Sequence, residues 1–200
     1  MGHGAHQFTS PRLDAHAFRP DSGHRALVRR LQRSVIGEPS STTSSKKGQP
    51  VFDLQDETSK FDSNASRLSI QFEAPIYSAS KYALYKKYQI EVHKDSPEHV
   101  SLNGFERFLC ATPLTNEAFA DDGNDGVDSY GTVHAVYRLK SENPDEESDI
   151  IALAVLDILP HCVSSVYFAY DPAYGKMSLG KVSAGGGEST NLAKQDSIAL

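Results

Sequence analysis

The chain reads as an α+β domain: a mainly antiparallel sheet with helices packed on it, preceded by a disordered arm. Three observations predict this. Residues 68–73 and 130–139 alternate apolar and polar side chains with the period of a half-buried strand. The run DIIALAVLDIL is apolar almost throughout, as in a central strand covered on both faces. Ahead of residue 67, stretches such as GEPSSTTSSKKGQP are too poor in apolar side chains to offset the entropy of ordering them.

Taken in order, residues 1–66 form a basic, low-complexity arm. The first fifty residues carry eight Lys/Arg against three Asp/Glu, a charge of +5. Residues 51–200 carry twelve against twenty-three, a charge of −11, so the net −6 hides a basic arm on an acidic body. Such an arm is either a solvated segment or a hold on a polyanionic partner. Within it, HRALVRRLQRSVIG sets Leu27, Leu31 and Val35 at i, i+4 and i+8, which predicts a transient basic amphipathic helix ended by Gly37.

Order is expected from Arg67, with Leu68, Ile70 and Phe72 on one face of a strand that Pro75 stops. Ser78 or Ser80 then caps a helix through KYALYKKYQIEVHK, with Leu84, Tyr88 and Val92 along one side and Lys86, Lys87 and Glu91 elsewhere. Ser101 caps a second helix, LNGFERFLC, expected to bury Leu102, Phe105, Phe108 and Leu109. ADDGNDGVDS is an acidic loop. In GTVHAVYRLK, Val133, Ala135, Tyr137 and Leu139 share one strand face and His134, Val136 and Arg138 the other. SENPDEES connects to the apolar strand, Pro160 bends the chain, and CVSSVYFAYD is the last strand. Gly185, Gly186 and Gly187 in succession exclude a stable helix, so 182–200 reads as a flexible tail.

Two cysteines, Cys110 and Cys162, exclude a disulfide framework and a cysteine-ligated zinc or iron–sulfur site built from this chain alone; they suit a reducing compartment. The N-terminus has no apolar core of signal-peptide length, and the longest apolar run, Ile150 to Leu156, is broken by Asp157. The expectation is a cytoplasmic or nuclear protein without a membrane partner. Four histidines before residue 25 are irregularly spaced and lack carboxylate framing, so no metal and no cofactor is expected.

Four blocks then resemble one family, the arginyl-tRNA–protein transferases, in the family's order. They are YALYKKYQIEVHKD (Tyr82–Asp95), GFERFLCATPL (Gly104–Leu114), YGTVHAVYRL (Tyr130–Leu139) and DILPHCVSSVYFAYDPAYGKMSLGK (Asp157–Lys181), the last preceded by IALAVL. The resemblance covers about residues 67–181 and implies a partial GNAT-like acyltransferase domain. It also implies the activity: transfer of arginine from arginyl-tRNA to an N-terminal Asp, Glu or oxidised Cys of a protein, marking it for ubiquitin-dependent degradation. The partners implied are arginyl-tRNA and acceptor proteins with acidic N-termini; the alternative is a non-catalytic tRNA- or protein-binding fragment. The chain departs from the pattern in having no cysteine before Cys110, in Ala135 and Val136 where glutamines are usual, and in VSAGGGES where a long helix and a further strand would be usual. The domain is therefore expected to be incomplete, spanning 67–181.

Such a reaction needs a base for the acceptor's α-amine, donors for the oxyanion and a proton for the ribose oxygen. Asp157 follows ALAVL in a strand read as buried, where a carboxylate is costly unless paired or used. It is either a base or anchor for a cation, or a carboxylate tied to backbone N–H groups at the Pro160 bend. His161, just after that proline, is the companion catalytic candidate, or a surface histidine. Candidate substrate contacts are His134 and Arg138 on one strand face, Ser164 and Ser165, Tyr167 and Tyr170 as core or stacking aromatics, and Gly180–Lys181 for a phosphate. For tRNA, Lys81, Lys86 and Lys87 on the first helix and Arg29, Arg30 and Arg33 on the arm supply the basic surface.

Overall fold

The structure is a computed structural model that describes residues 21–36, 67–115, 117–118, 129–140 and 148–181. The rest of the expected arm, the acidic loop 119–128, the connection 141–147 and the expected tail 182–200 lie outside the described residues. Five strands form one antiparallel sheet: β1 (Leu68–Glu73), β2 (Glu117–Ala118), β3 (Ser129–Leu139), β4 (Asp149–Leu159) and β5 (Cys162–Tyr170). The order is β1-β3-β4-β5, with β2 pairing the first residues of β3 at Tyr130 and Ser129. The helices are α1 (Ser22–Ile36), α2 (Ala79–Tyr88) and α3 (Leu102–Phe105). The α+β expectation and the strand positions hold, but β3 is not half-buried as its alternation predicts: His134 and Val136 are buried on one face and Ala135 and Tyr137 on the other, because helices cover both sides of the sheet there.

Strand β4 is central, and Ile151 to Leu156 are all buried. On one face of the sheet, Leu68, Ala135, Ala152, Ala154, Leu156 and Ile158 pack with Leu31 and Val35 of α1 and with Leu179. On the other, Val136, Leu153 and Val155 pack with Leu84 and Tyr85 of α2 and with Phe105 and Leu109. Ala135 and Val136, which stand where the family usually has glutamines, thus fill the two cores, one on each side.

Both helices on the second face widen. Helix α2 runs on into a π-turn at Gln89–His93, closed by Lys94 with φ 65°, and α3 into a π-turn at Glu106–Cys110. Each extra residue per turn rotates the side chains beyond it, as π-bulges do. Val92, expected on the buried side, is 37% exposed, and Phe108 is 53% exposed while Phe105 and Leu109 are buried. Leu102 is also exposed, since the core meets α3 only from Phe105 onward. Ser78 is the cap that forms, its Oγ accepting the N–H of Lys81 at 3.2 Å, and Ser101 caps α3 through the N–H of Gly104 at 3.1 Å.

One expectation needs correction within the arm. Residues 22–36 are a helix built into the core rather than a transient one, with Val28, Leu31 and Val35 at 4%, 2% and 0% exposure. The reason is tertiary. The apolar stripe runs through Val28 rather than Leu27, which is half-buried, and it meets the sheet face opposite α2, which it covers together with Leu179, Tyr174 and Met177. The carbonyl of Val35 accepts the N–H of Arg67, so α1 ends against the start of β1.

If α1 is part of the core, Leu31→Ala should cost about 2–5 kcal/mol, and the half-buried Leu27→Ala well under half as much. Denaturant unfolding followed by circular dichroism checks this. Equal, negligible losses at both positions would detach α1 from the fold.

Candidate functional site

The polar residues of the second face lie in two rows set by strand register. Glu73, His134, Val155 and Tyr167 are successive cross-strand partners, and beside them run Thr132, Asp157 and Ser164. Cross-strand partners share a face, so each row is a set of neighbours.

The first row holds an ion-pair cluster. Lys81, in the first turn of α2, is 1% exposed, and its Nζ lies 2.7 Å from Glu73 Oε2. The other oxygen, Glu73 Oε1, accepts from Arg138 Nη2 at 2.9 Å, while Arg138 Nε donates to Gln71 Oε1 at 3.2 Å. Burial alone would raise the Glu73 carboxyl, but the hydrogen bonds from Lys81 and Arg138 outweigh it and hold the group below its ordinary value.

His134, directly opposite Glu73, is fully buried. Its Nε2 meets the carbonyl of Leu109 at 2.9 Å, an oxygen left over at the end of the π-turn. Since a carbonyl only accepts, Nε2 carries the hydrogen. Burial lowers the histidine below its ordinary value, with the ammonium of Lys81 adding to the effect, so the ring is neutral and Nδ1 presents a lone pair. Nδ1 is buried and without a hydrogen-bond partner. A buried acceptor left open in this way costs about 1–3 kcal/mol, which a donor brought to it would recover.

The second row is a directed chain. The N–H of Leu114 donates to Thr112 Oγ1 at 3.1 Å; Thr112 and Thr132 hydroxyls lie 2.6 Å apart; Thr132 Oγ1 donates to Asp157 Oδ1 at 2.7 Å. With an acceptor at one end and a backbone donor at the other, each hydroxyl has one consistent direction, and all point toward Asp157. Oδ2 of Asp157 has no hydrogen-bond partner among the described residues. Asp157 is half-buried, and it is neither unpaired nor tied to backbone at the Pro160 bend. The arrangement can hold a cation or accept a proton at Oδ2 while the Thr132 hydroxyl fixes the carboxylate's orientation.

The remaining candidates divide. Ser164 is the cross-strand partner of Asp157, but Ser165 pairs with Leu156 and faces the other way. Alternation along the strand separates the two serines; a bulge follows, with Val155 paired to Tyr167 and Leu156 to Ser165, leaving Val166 as the extra residue, which returns Tyr167 to the side of Asp157. Tyr167 donates its hydroxyl to Gln89 Oε1 at 3.1 Å, and Gln89 Nε2 donates to the Tyr85 hydroxyl at 3.0 Å. Burial pushes the Tyr167 phenol far above its ordinary value, so it stays a donor tying β5 to α2. Its ring also meets the exposed ring of Phe108, centroids 5.1 Å apart. Tyr170 packs edge-on against Tyr88 at 5.1 Å.

His161 stands exposed in the two-residue turn between β4 and β5, beyond the Leu159–Cys162 pair, and is not joined to Asp157. A Cβ on Gly180 would make ordinary contact with the Phe168 ring at 3.4 Å, so this glycine lies against the aromatic core; Lys181 is exposed. Of the lysines expected on the surface, Lys81 is buried in the ion pair and Lys87 is held by both oxygens of Asp171, at 2.8 and 2.9 Å. Only Lys86 stands exposed as expected. The α2 face turned toward the sheet includes Lys81 because Glu73 waits there, a fact no helical periodicity contains. Burial raises the Cys110 thiol, and Cys162 is exposed.

Glu73, Thr132 and Thr112 escape sequence reasoning. Glu73 and Thr132 each fall on the polar side of a correctly read strand, which is a weak signal, and Thr112 gives none.

Residues 80–197 match the family model of the C terminus of arginine-tRNA-protein transferase, more than half of the chain. The chain belongs to that family. The match runs past Lys181, where the resemblance read from the four blocks stops, and takes in the glycine run. Among relatives, arginyl-tRNA–protein transferase 1 of Arabidopsis thaliana is 32% identical over 154 residues, 76% of this chain and 23% of that protein. The Arabidopsis transferase 2 is 33% identical over 134 residues, 66% of this chain and 21% of that protein. Arginyl-tRNA–protein transferase 1 of Saccharomyces cerevisiae is 39% identical over 128 residues, 60% of this chain and 25% of that protein. The chain thus spans between a fifth and a quarter of the length of these relatives.

Glu73→Ala should destabilise this transferase-family domain by about 3–5 kcal/mol, because it strands the buried ammonium of Lys81. Urea unfolding at neutral pH measures it, and a loss below about 1 kcal/mol would mean the pair is idle. For His134, the unfolded chain takes up a proton near the ordinary 6.5 and the folded one does so only at lower pH. Its contribution is therefore complete above that value and is lost as pH falls below it. Melting temperatures of the parent should drop between about pH 7 and about pH 5 more steeply than those of His134→Gln.

Proposed function

We propose that this chain forms the aminoacyl-transfer face of an arginyltransferase, taking arginine from arginyl-tRNA to the N-terminal Asp or Glu, or oxidised Cys, of an acceptor protein. The reading rests on family membership for the reaction and on one observation for its place: the hydroxyl chain from Thr112 through Thr132 that ends on Asp157 with Oδ2 open. The antiparallel sheet with a bulged edge strand suits the GNAT-like architecture that the resemblance implies. A role in ubiquitin-dependent degradation follows from the same resemblance, and a cytoplasmic or nuclear setting from the cysteine content, which suits a reducing compartment.

In this reading the acceptor's α-ammonium docks on Asp157 Oδ2 and gives up a proton there. The free amine nitrogen attacks the ester carbonyl carbon of arginyl-tRNA, forming the new C–N bond and placing negative charge on the carbonyl oxygen. Collapse breaks the bond from carbon to the ribose oxygen, which leaves with the proton returned from the aspartic acid, and the second proton of the attacking nitrogen is released through the regenerated carboxylate to solvent, leaving the neutral amide. In the same reading the hydroxyl of Ser164, the cross-strand partner of Asp157, donates to the oxyanion. Ester aminolysis is downhill, so most of the rate comes from holding the two substrates together in a fixed geometry. A base in this position contributes about 10²–10⁴-fold.

The test is incubation of the chain with radiolabelled arginyl-tRNA and peptides that begin with Asp or with Ala. Label should enter the Asp peptide and not the Ala peptide, and Asp157→Asn should slow transfer about 10²–10⁴-fold without altering the melt. Transfer unchanged in Asp157→Asn would remove Asp157 from the chemistry. A parent chain that melts cooperatively and transfers nothing would leave the family's binding role in place of the catalytic one.

A further inference from the structure

Helix α1 has two faces with separate uses. Its apolar side, Val28, Leu31 and Val35, is spent in the core at 4% exposure or less. Its other side exposes Arg29, Arg30 and Arg33. Positions i, i+1 and i+4 lie on one side of a helix, with the side-chain bases of the i,i+3 and i,i+4 pairs about 5–6 Å apart. That separation is comparable with the distance between successive phosphates of one nucleic-acid strand. The helix SGHRALVRRLQRSVI contains no Asp or Glu, and Asp21 just before it is occupied by His24, Oδ1 to Nδ1 at 2.7 Å. The three arginines have no acidic partner among the described residues; Arg33 Nε reaches only the carbonyl of Arg29, at 3.4 Å.

We propose that the Arg29–Arg30–Arg33 stripe is a docking surface for the phosphate backbone of an RNA duplex, the stem of the tRNA that carries the arginine. The tRNA identity rests on the transfer reading above; the duplex-binding surface does not. An arginine-rich amphipathic helix is often a membrane binder, but that mode inserts the apolar face into lipid. Here that face is already under the sheet, so only the cationic side is offered, as a fixed row of planar donors suited to phosphate. The stripe is carried on a chain whose residues 51–200 have a charge of −11, so it is the place where a polyanion would be steered.

The geometry also says which part of the RNA is held. The last turn of α1 meets Arg67, beside Leu68, whose cross-strand partner Leu139 is paired with Asp149 at the start of β4. Asp157, eight residues along β4 from Asp149 (roughly 26 Å of strand), faces the opposite side of the sheet from α1. The arginines therefore cannot touch the ester. They hold the helical stem at a distance while the single-stranded end passes round the sheet to Asp157.

The experiment compares the parent with Arg29→Gln/Arg30→Gln/Arg33→Gln, all three changes being on exposed positions, after melts show equal stability. Binding is measured by anisotropy across a salt series to deacylated tRNA, to an unrelated RNA duplex and to phosphatidylserine vesicles. The expected result is that the parent binds both RNAs and the triple variant binds each more weakly. The slope of log affinity against log salt should become shallower by about 2–3, near one for each phosphate no longer neutralised. Unchanged RNA affinity and slope in the variant would overturn the proposal, as would failure of the parent to bind either RNA. Vesicle binding that the substitutions abolish, with RNA binding intact, would assign the stripe to a membrane and overturn it equally. A transfer assay separates the two readings. If the parent transfers arginine and the variant's KM for arginyl-tRNA is unchanged, the stripe is refuted and the transfer reading stands. A slope change without any transfer by the parent upholds the stripe and refutes the transfer reading.

Discussion

An ammonium group almost without water around it has to be neutralised where it sits, and that requirement organises one face of this domain. Lys81 lies in the first turn of α2, so its partner has to be on the sheet, and Glu73 at the end of β1 is that partner. Glu73 in turn engages Arg138 of β3, so a single carboxylate joins a helix and two strands. The cost of burying such a pair is high, and a hydrophobic replacement is often as stable. What the pair supplies here is position: it fixes α2 over the sheet with His134 enclosed beneath the π-turn that extends α3.

The same enclosure leaves two unfilled polar atoms in adjoining rows, Nδ1 of His134 and Oδ2 of Asp157. They differ in kind. The histidine is neutral, fully buried and fixed by the Leu109 carbonyl, whereas the aspartate is half-buried and oriented by a chain of hydroxyls whose direction allows it only to receive. A site prepared in this way favours an incoming donor-rich cation, and an ammonium or a guanidinium is such a group. The bulge at Val166 completes the arrangement by returning Tyr167 to the side of Asp157 and Ser164, while Ser165 faces the other way and is exposed.

The sheet keeps its two sides apart in charge as well as packing. One side carries the ion-pair cluster and the open carboxylate; the other is closed by α1, whose apolar stripe belongs to the core and whose arginines belong to the surface. Because the relatives are four to five times longer than the matched portion, the geometry described bears on a part of their architecture. Among the described residues that part contains a two-sided core around β4.

Much of the fold was legible because strand burial is written locally. The alternation through Leu68–Phe72 and Val133–Leu139 and the apolar run Ile150–Leu156 each mark a strand, and the run also states that both faces of β4 are covered; the alternation of β3 does not disclose that its polar face is buried too. Family membership was legible for a related reason, since four ordered blocks survive as contiguous text. Asp157 stood out because a carboxylate interrupts an apolar strand. What the sequence could not contain is which polar groups meet across the sheet. The Lys81–Glu73 contact, the hydrogen bond from His134 to Leu109 and the Thr112–Thr132–Asp157 chain join residues far apart in the chain, and each exists only once α2, α3 and the strands are docked. The basic helix of the arm was misjudged on the same ground, because its own stripe is too short to hold it as a helix and the open face of the sheet decides that it folds. Local pattern set the elements and the ancestry; docking across the sheet set the charges, the orientations and the site.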